Sequence, residues 1–203
     1  MKNYIVEYKN FINKSVCDDI IDLFNENKKL EIKKYNVKKT LETINSSILL
    51  IPKHNNDWEK IEKYLYKELL NKINDYKNKL FESKFENNIF KDILITNLNS
   101  DMYLKNFVIQ KIDYTNESKE KIIIKDNYYR ISDRYNFLTF ILYLNDIDKG
   151  GELYFDDGSS IYSEKGKLIL LPDDIQYLYN IVPPISNEQY IITGQICIKN
   201  NIN

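Results

Sequence analysis

Phe137-Leu138-Thr139-Phe140-Ile141-Leu142-Tyr143-Leu144-Asn145-Asp146 is followed, after three intervening residues, by Gly150-Gly151-Glu152-Leu153-Tyr154-Phe155. Both runs are rich in the branched and aromatic side chains that suit a pleated, half-buried surface. The polar Asn145-Asp146 pair and the double glycine between them read as turn punctuation, so the spacing predicts strands at Phe137 to Leu144 and Glu152 to Phe155. The same chemistry recurs on either side. Phe107 to Ile112 and Ile122 to Lys125 precede this centre, and Lys167 to Leu171, Ile175 to Tyr179 and Gln189 to Ile198 follow it. Gly158, Gly166 and Pro183-Pro184 separate the later runs.

Toward the N-terminus the periodicity changes. Tyr4 to Tyr8 and Ser47 to Ile51, the latter ended by Pro52, read as two more strands. Ser15-x-x-Asp18 before Ile20, Ile21, Leu23 and Phe24 reads as a capped amphipathic helix. Trp58, Ile61, Leu65, Leu69, Ile73, Tyr76 and Leu80 recur at steps of three and four, which predicts a long helix from Asp57 to Phe81. Helices first and many short strands later favour an α+β chain: a jelly roll or barrel buttressed by helices, not a parallel sheet with alternating crossovers. No internal repeat, linker or composition break divides residues 1–203, so one domain is expected: residues 1–100 as mainly helical support with edge strands, residues 101–203 as the β-core.

The totals agree. A 203-residue chain that is 43% hydrophobic and 29% charged can bury a real core. With 29 basic and 30 acidic residues it has no net positive field for a nucleic-acid backbone or an anionic membrane. Alanine is absent and the basic residues are almost all lysine, the signature of an AT-rich source genome such as a virus or protist. That bias makes Lys33-Lys34 and Lys38-Lys39 read as solvated faces. Cys17 and Cys197 have no Cys-x-x-Cys partner, so they read as buried, reduced thiols. Neither a signal peptide nor an apolar run of spanning length is legible, and the expectation is a cytoplasmic protein.

The central run resembles the T-x-x-x-Y-L-N-(D/E) … G-G-E-(T/L)-x-F pattern of the prolyl-4-hydroxylase-like iron(II)/2-oxoglutarate oxygenases. Lys165-Gly166-Lys167-Leu168-Ile169-Leu170-Leu171-Pro172 is similar to that family's K-G-x-(L/A)-(L/I)-x-F-P strand. Tyr190-Ile191-Ile192-Thr193-Gly194 is similar to its closing strand, and Phe11-Ile12 with Ser15-Val16-Cys17-Asp18 to its opening segment. The resemblance spans nearly the whole chain and implies a double-stranded β-helix, the jelly-roll or cupin-like core. It also implies hydroxylation of a protein side chain with iron(II), 2-oxoglutarate, O₂ and ascorbate.

The residues that such chemistry needs are changed. The family holds iron with two imidazoles and a carboxylate, leaving positions open for the 2-oxo acid and O₂. Taking Tyr114 as the family's tyrosine at the 2-oxoglutarate site, the H-x-D pair falls on Ile124-Lys125-Asp126, so the aspartate is present and the histidine is isoleucine. The distal histidine falls on Tyr179 and the basic residue for the far carboxylate on Gln189, which can hydrogen-bond a carboxylate but not neutralise it. The chain contains one histidine, His54, in the polar stretch before the long helix, so no register supplies two imidazoles. Asp126 alone remains as a metal ligand.

Further candidates surround this site. Arg130 and Arg134, the only arginines, could form an anion or peptide contact at a pocket rim with Tyr143, or structural pairs with Asp126, Asp133 or Asp146. Tyr128, Tyr129, Tyr143, Tyr154, Tyr177 and Tyr179 could line a peptide groove or reflect strand composition. The leading expectation is a pseudoenzyme that binds a protein, peptide or small ligand, with no cofactor. Its rivals are an iron(II)/2-oxoglutarate dioxygenase with a rebuilt metal site, and a structural jelly-roll interaction module.

Overall fold

The computed structural model describes residues 4–27, 33–39, 42–50, 56–82, 92, 96, 101–114, 124–125, 136–173 and 179–198. The elements run β1 (Val6–Tyr8), α1 (Lys14–Glu26), β2 (Lys33–Lys39), β3 (Glu42–Leu50), α2 (Asn56–Glu82), β4 (Met102–Ile112) and β5 (Ile124–Lys125). They continue as β6 (Asn136–Tyr143), β7 (Leu153–Phe155), β8 (Ser160–Ile161), β9 (Leu168–Pro172), β10 (Tyr179–Ile181) and β11 (Gln189–Ile198). Two antiparallel sheets result. One has seven strands in the order β1-β9-β6-β11-β4-β3-β2, the other four in the order β5-β10-β7-β8. The expected α+β jelly roll with supporting helices is what forms.

Antiparallel partners point to the same side of a sheet, so the register sorts the large sheet into two faces. Tyr8, Leu168, Leu142 and Ile192 are successive partners across β1, β9, β6 and β11, and Phe140, Leu170 and Tyr190 share their face by alternation. The helices cover this side. The Tyr8 hydroxyl donates to the Lys72 carbonyl on α2 at 3.2 Å, and Tyr76 on α2 donates to the Tyr4 carbonyl at 2.7 Å. Phe24 on α1 meets Tyr190 edge-on with ring centroids 5.8 Å apart. Along α2 the residues Trp58, Leu65, Leu69, Ile73, Tyr76 and Leu80 are all buried, the stripe that the sequence periodicity predicts.

The opposite face carries Tyr143, Ile191, Gln189 and Ile141, and looks toward the small sheet, whose Leu153 and Phe155 join the same continuous core. Gly150 and Gly151, both at φ +74°, turn the chain from β6 into β7. A side chain on Gly150 would run into the Pro183 carbonyl oxygen, and one on Gly151 would meet the Gln189 amide at 2.9 Å. The double glycine is therefore a requirement of close approach as well as of turning.

Several boundaries differ from the sequence reading, each for a physical reason. The capping box expected at Ser15 does not form. The helix starts earlier because the Phe11 N–H is tied to the Gly166 carbonyl at 2.7 Å, which puts Asn13 at the N-cap without a side-chain bond; Asp18 pairs instead with Lys165 at 2.5 Å. Strand β2 lies in the lysine-rich stretch read as a solvated face. It is the edge strand of the large sheet, where lysines are common because they discourage further pairing. Strand β3 begins at Glu42, well before the expected Ser47, since Glu42 to Ile48 pair with β2. Ser160–Ile161 pairs with β7 as a two-residue strand too short to show a pattern. β10 starts at Tyr179 and ends at Ile181, where Ile175 to Tyr179 had been expected; residues 174–178 lie outside the described residues.

Candidate functional site

The interior face of the large sheet is where the site residues collect, and Asn145 sets their geometry. Its side-chain amide donates to the Glu188 carbonyl at 2.7 Å, and its Oδ1 accepts the Tyr190 N–H at 2.8 Å. It thus grips the backbone on both sides of Gln189, and the Leu144 N–H to Tyr190 carbonyl bond at 2.9 Å closes the junction. Asp146 accepts the Lys165 N–H at 2.7 Å and fixes the neighbouring loop. Gln189 is consequently the first residue of β11, fully buried, with its side chain turned inward.

The Gln189 amide has one orientation compatible with its surroundings. Its Nε2 donates to the Gly151 carbonyl at 2.7 Å, whereas the flipped amide would set oxygen against oxygen. Oε1 therefore faces the interior, where it has no hydrogen-bond partner. Tyr143 stands diagonally across from it, because it pairs directly with Ile191, two residues along β11 on the same face. Such diagonal neighbours lie about 7–8 Å apart, within reach of long side chains. The Tyr143 hydroxyl is also buried, and among the described residues nothing meets it in hydrogen-bonding geometry; burial, reinforced by the charges of Glu7 and Glu152, pushes its pKa up against the opposing pull of the Leu153 backbone N–H. Tyr143 is 1% exposed, so it belongs to the interior and not to a pocket rim.

One cation shares this face. Lys167 is the only buried charged residue among the described residues, and its side chain points inward beside Tyr143, whose N–H donates to the Lys167 carbonyl at 2.9 Å. Its ammonium is already saturated. It donates to the Tyr162 carbonyl at 3.0 Å and pairs with Glu164 at 3.2 Å and Glu7 at 3.4 Å. Burial alone would raise the Glu164 carboxyl, but Lys167 and Lys9 hold it below its ordinary range, so the carboxylate stays charged at neutral pH.

The remaining sequence candidates are dispersed. Tyr179 opens β10, is 9% exposed, and packs its ring on Phe155 at 6.5 Å between centroids. Asn180 and Ile181 pair with Lys125 and Ile124 of β5, so the backbone brings Ile124 beside β10 as the family pattern implies. Tyr114 lies just past the end of β4 and is 49% exposed. Asp126, Arg130, Arg134 and His54 lie outside the described residues, as do Tyr128, Tyr129 and Tyr177. Cys17 and Cys197 are buried and not joined in a disulfide, as expected, and burial pushes the Cys17 thiol up to about 11, which keeps it protonated and unreactive.

Solved structures with this architecture are numerous. A viral collagen prolyl hydroxylase from Paramecium Bursaria Chlorella virus-1, in its 2OG complex, superposes with a TM-score of 0.56 over 97% of each chain at 16% identity. A prolyl hydroxylase from Trichoplax adhaerens, bound to a hypoxia inducible factor peptide fragment, gives 0.60 over 96% of this chain and 84% of its own at 13% identity. A 2OG-Fe(II) oxygenase family oxidoreductase from Burkholderia pseudomallei gives 0.62 over 97% and 86% at 10% identity. The chain has the fold of the prolyl-4-hydroxylase-like 2-oxoglutarate oxygenases. No protein-family model and no curated protein matches the sequence.

The fold implies iron and 2-oxoglutarate, and the described residues do not offer the donor set that either group needs. Among the described residues no three His, Cys, Asp or Glu side chains gather to hold a metal, and the single histidine of the whole chain denies any register two imidazoles. At the position where the family pattern expects a basic residue, Gln189 turns an acceptor oxygen inward, so it cannot even hydrogen-bond a carboxylate in the orientation that Gly151 imposes. Among the described residues, no helix is long and apolar enough to cross a membrane.

Proposed function

We propose that this chain is a pseudoenzyme: an oxygenase scaffold that acts by binding a protein, peptide or small ligand and not by turnover. The observation that carries this reading is the Gln189 amide, pinned by Gly151 so that its bare oxygen occupies the place of a cation. Replacing a charge partner by an acceptor costs a carboxylate ligand several kcal/mol, on the order of the 3–5 kcal/mol lost when a buried pair is broken. The substitutions at Ile124 and Tyr179 act in the same direction. A branched alkyl group has no lone pair to give a metal, and a neutral phenol is a poor ligand for ferrous iron.

Among the described residues the scaffold is firmly tied together. Asn145, Asp146 and the glycine pair hold the loops that join the two sheets with the hydrogen bonds and close approaches described above. A partner could therefore meet a defined surface. The Trichoplax relative in fold is bound to a peptide fragment, which makes an extended peptide a natural class of partner here. A cytoplasmic setting suits two buried cysteines that form no disulfide.

The test is titration of Fe(II) or Mn(II) into metal-free protein by calorimetry, with and without 2-oxoglutarate, using Asp126→Ala as control. No saturable binding is expected. Micromolar binding that vanishes in Asp126→Ala would overturn the pseudoenzyme reading and restore the dioxygenase with a rebuilt site.

A further inference from the structure

Among the described residues, two buried polar atoms on the interior face have no partner in hydrogen-bonding geometry: the Tyr143 hydroxyl and the Gln189 Oε1. Leaving such a group unsatisfied costs about 1–3 kcal/mol, so two on one face of one pair of strands call for an explanation. Packing does not supply it, because phenylalanine and leucine would fill the same volumes without the cost. Nor does a conflict with the neighbouring carbonyls, since Gly151 already has its donor.

The chemistry facing the interior is specific. Gln189 Oε1 only accepts, so whatever approaches it must bring an N–H or O–H. Tyr143 can donate to a carbonyl or accept from a donor. A carboxylate meets an acceptor at Gln189, and Lys167, the one buried cation among the described residues, is saturated by Glu7, Glu164 and the Tyr162 carbonyl. A primary amide satisfies both atoms at once, its N–H on Gln189 Oε1 and its C=O on the Tyr143 hydroxyl. From these two atoms we infer that Tyr143 and Gln189 form a recognition site for an uncharged amide group, one that excludes carboxylates. The inference rests on the pseudoenzyme reading and names the chemistry of the ligand that such a protein takes: a free carboxamide, or the side chain of Asn or Gln in a peptide.

The experiment compares propionamide with propionate, small fragments of equal carbon skeleton that differ only in the group offered to these two atoms, by ligand-observed NMR on the full chain. Binding of propionamide at least about tenfold tighter than of propionate is expected, as for sites that reject a ligand leaving a buried polar group unpaired. Tyr143→Phe should weaken the amide at least about tenfold while leaving the chain folded, and Gln189→Lys should reverse the preference toward propionate. Equal affinities, no binding of either fragment because only trapped water joins the two atoms, or amide binding that survives Tyr143→Phe would each overturn the inference. The metal titration separates this failure from that of the pseudoenzyme reading. A silent titration with no amide selectivity sinks only the amide site, whereas metal-dependent binding of 2-oxoglutarate sinks the function on which it rests.

Discussion

The helix-covered face of the seven-stranded sheet and its interior face are built from the same strands, yet they treat polar atoms differently. On the helix side Tyr8, Tyr76 and Tyr190 each bury a ring and each give the hydroxyl a partner: the Lys72 carbonyl, the Tyr4 carbonyl, and the Glu188 and Asn25 side chains. On the interior side Tyr143 is more deeply buried than any of these except Tyr76, and its hydroxyl has none. The first pattern is that of a surface built for packing, in which these three buried hydroxyls are satisfied. The second keeps polar atoms where packing alone would favour none. The contrast separates the part of the molecule that makes the fold stable from the part to which the proposed amide site belongs.

The contrast can be broken most forcefully on the helix side. Phe140 is buried among the core residues there, with its ring 5.8 Å from that of Phe107, so Phe140→Ala should lower stability by about 3–5 kcal/mol in urea unfolding. A loss under about 1 kcal/mol would mean that this face is not the principal core. The same measurement on Tyr143→Phe should give a smaller effect of opposite sign. Removing an unpartnered buried hydroxyl should stabilise the ligand-free protein by about 1 kcal/mol, whereas loss of stability would show that the hydroxyl has a structural partner.

The smallest expected effect is confined to acid. Lys167 and Lys9 hold the Glu164 carboxyl below its ordinary value against the opposing effect of its partial burial, so the folded state binds its proton less readily than the unfolded chain. Its contribution is present above the ordinary glutamate range near 4.5 and is lost as pH falls below it. Glu164→Gln should flatten the decline of melting temperature below pH 4.5 while changing the slope little near neutrality. An unchanged acid limb would remove Glu164 from the account of how Lys167 is held.

Much of this was written in the one-dimensional pattern. The strand β11 has the bounds that its apolar run predicts, and α2 differs from its predicted limits by one residue at each end. Long, strongly periodic segments declare themselves because burial of one face enforces the period. The short β8 and the lysine-rich β2 did not, since two residues carry no period and an edge strand tolerates charge. Asn145 stood in the quoted motif but could not be assigned a role, because both of its partners, Glu188 and Tyr190, are more than 40 residues away in sequence.

By itself the sequence determined that this chain has one imidazole too few for the family's metal site, since a count of histidines is independent of any folding. It also determined the jelly-roll class, through the alternation of strands with glycine and proline turns. Only the tertiary structure decided what Gln189 and Tyr143 are. A glutamine can donate or accept, and it took the Gly151 carbonyl, brought alongside by two glycines at positive φ, to fix which atom faces inward. A tyrosine in a strand can lie at a rim or in the interior, and it took the pairing of β6 with β11 to bury this one. Orientation and burial depend on neighbours distant in the chain, which local patterns cannot encode.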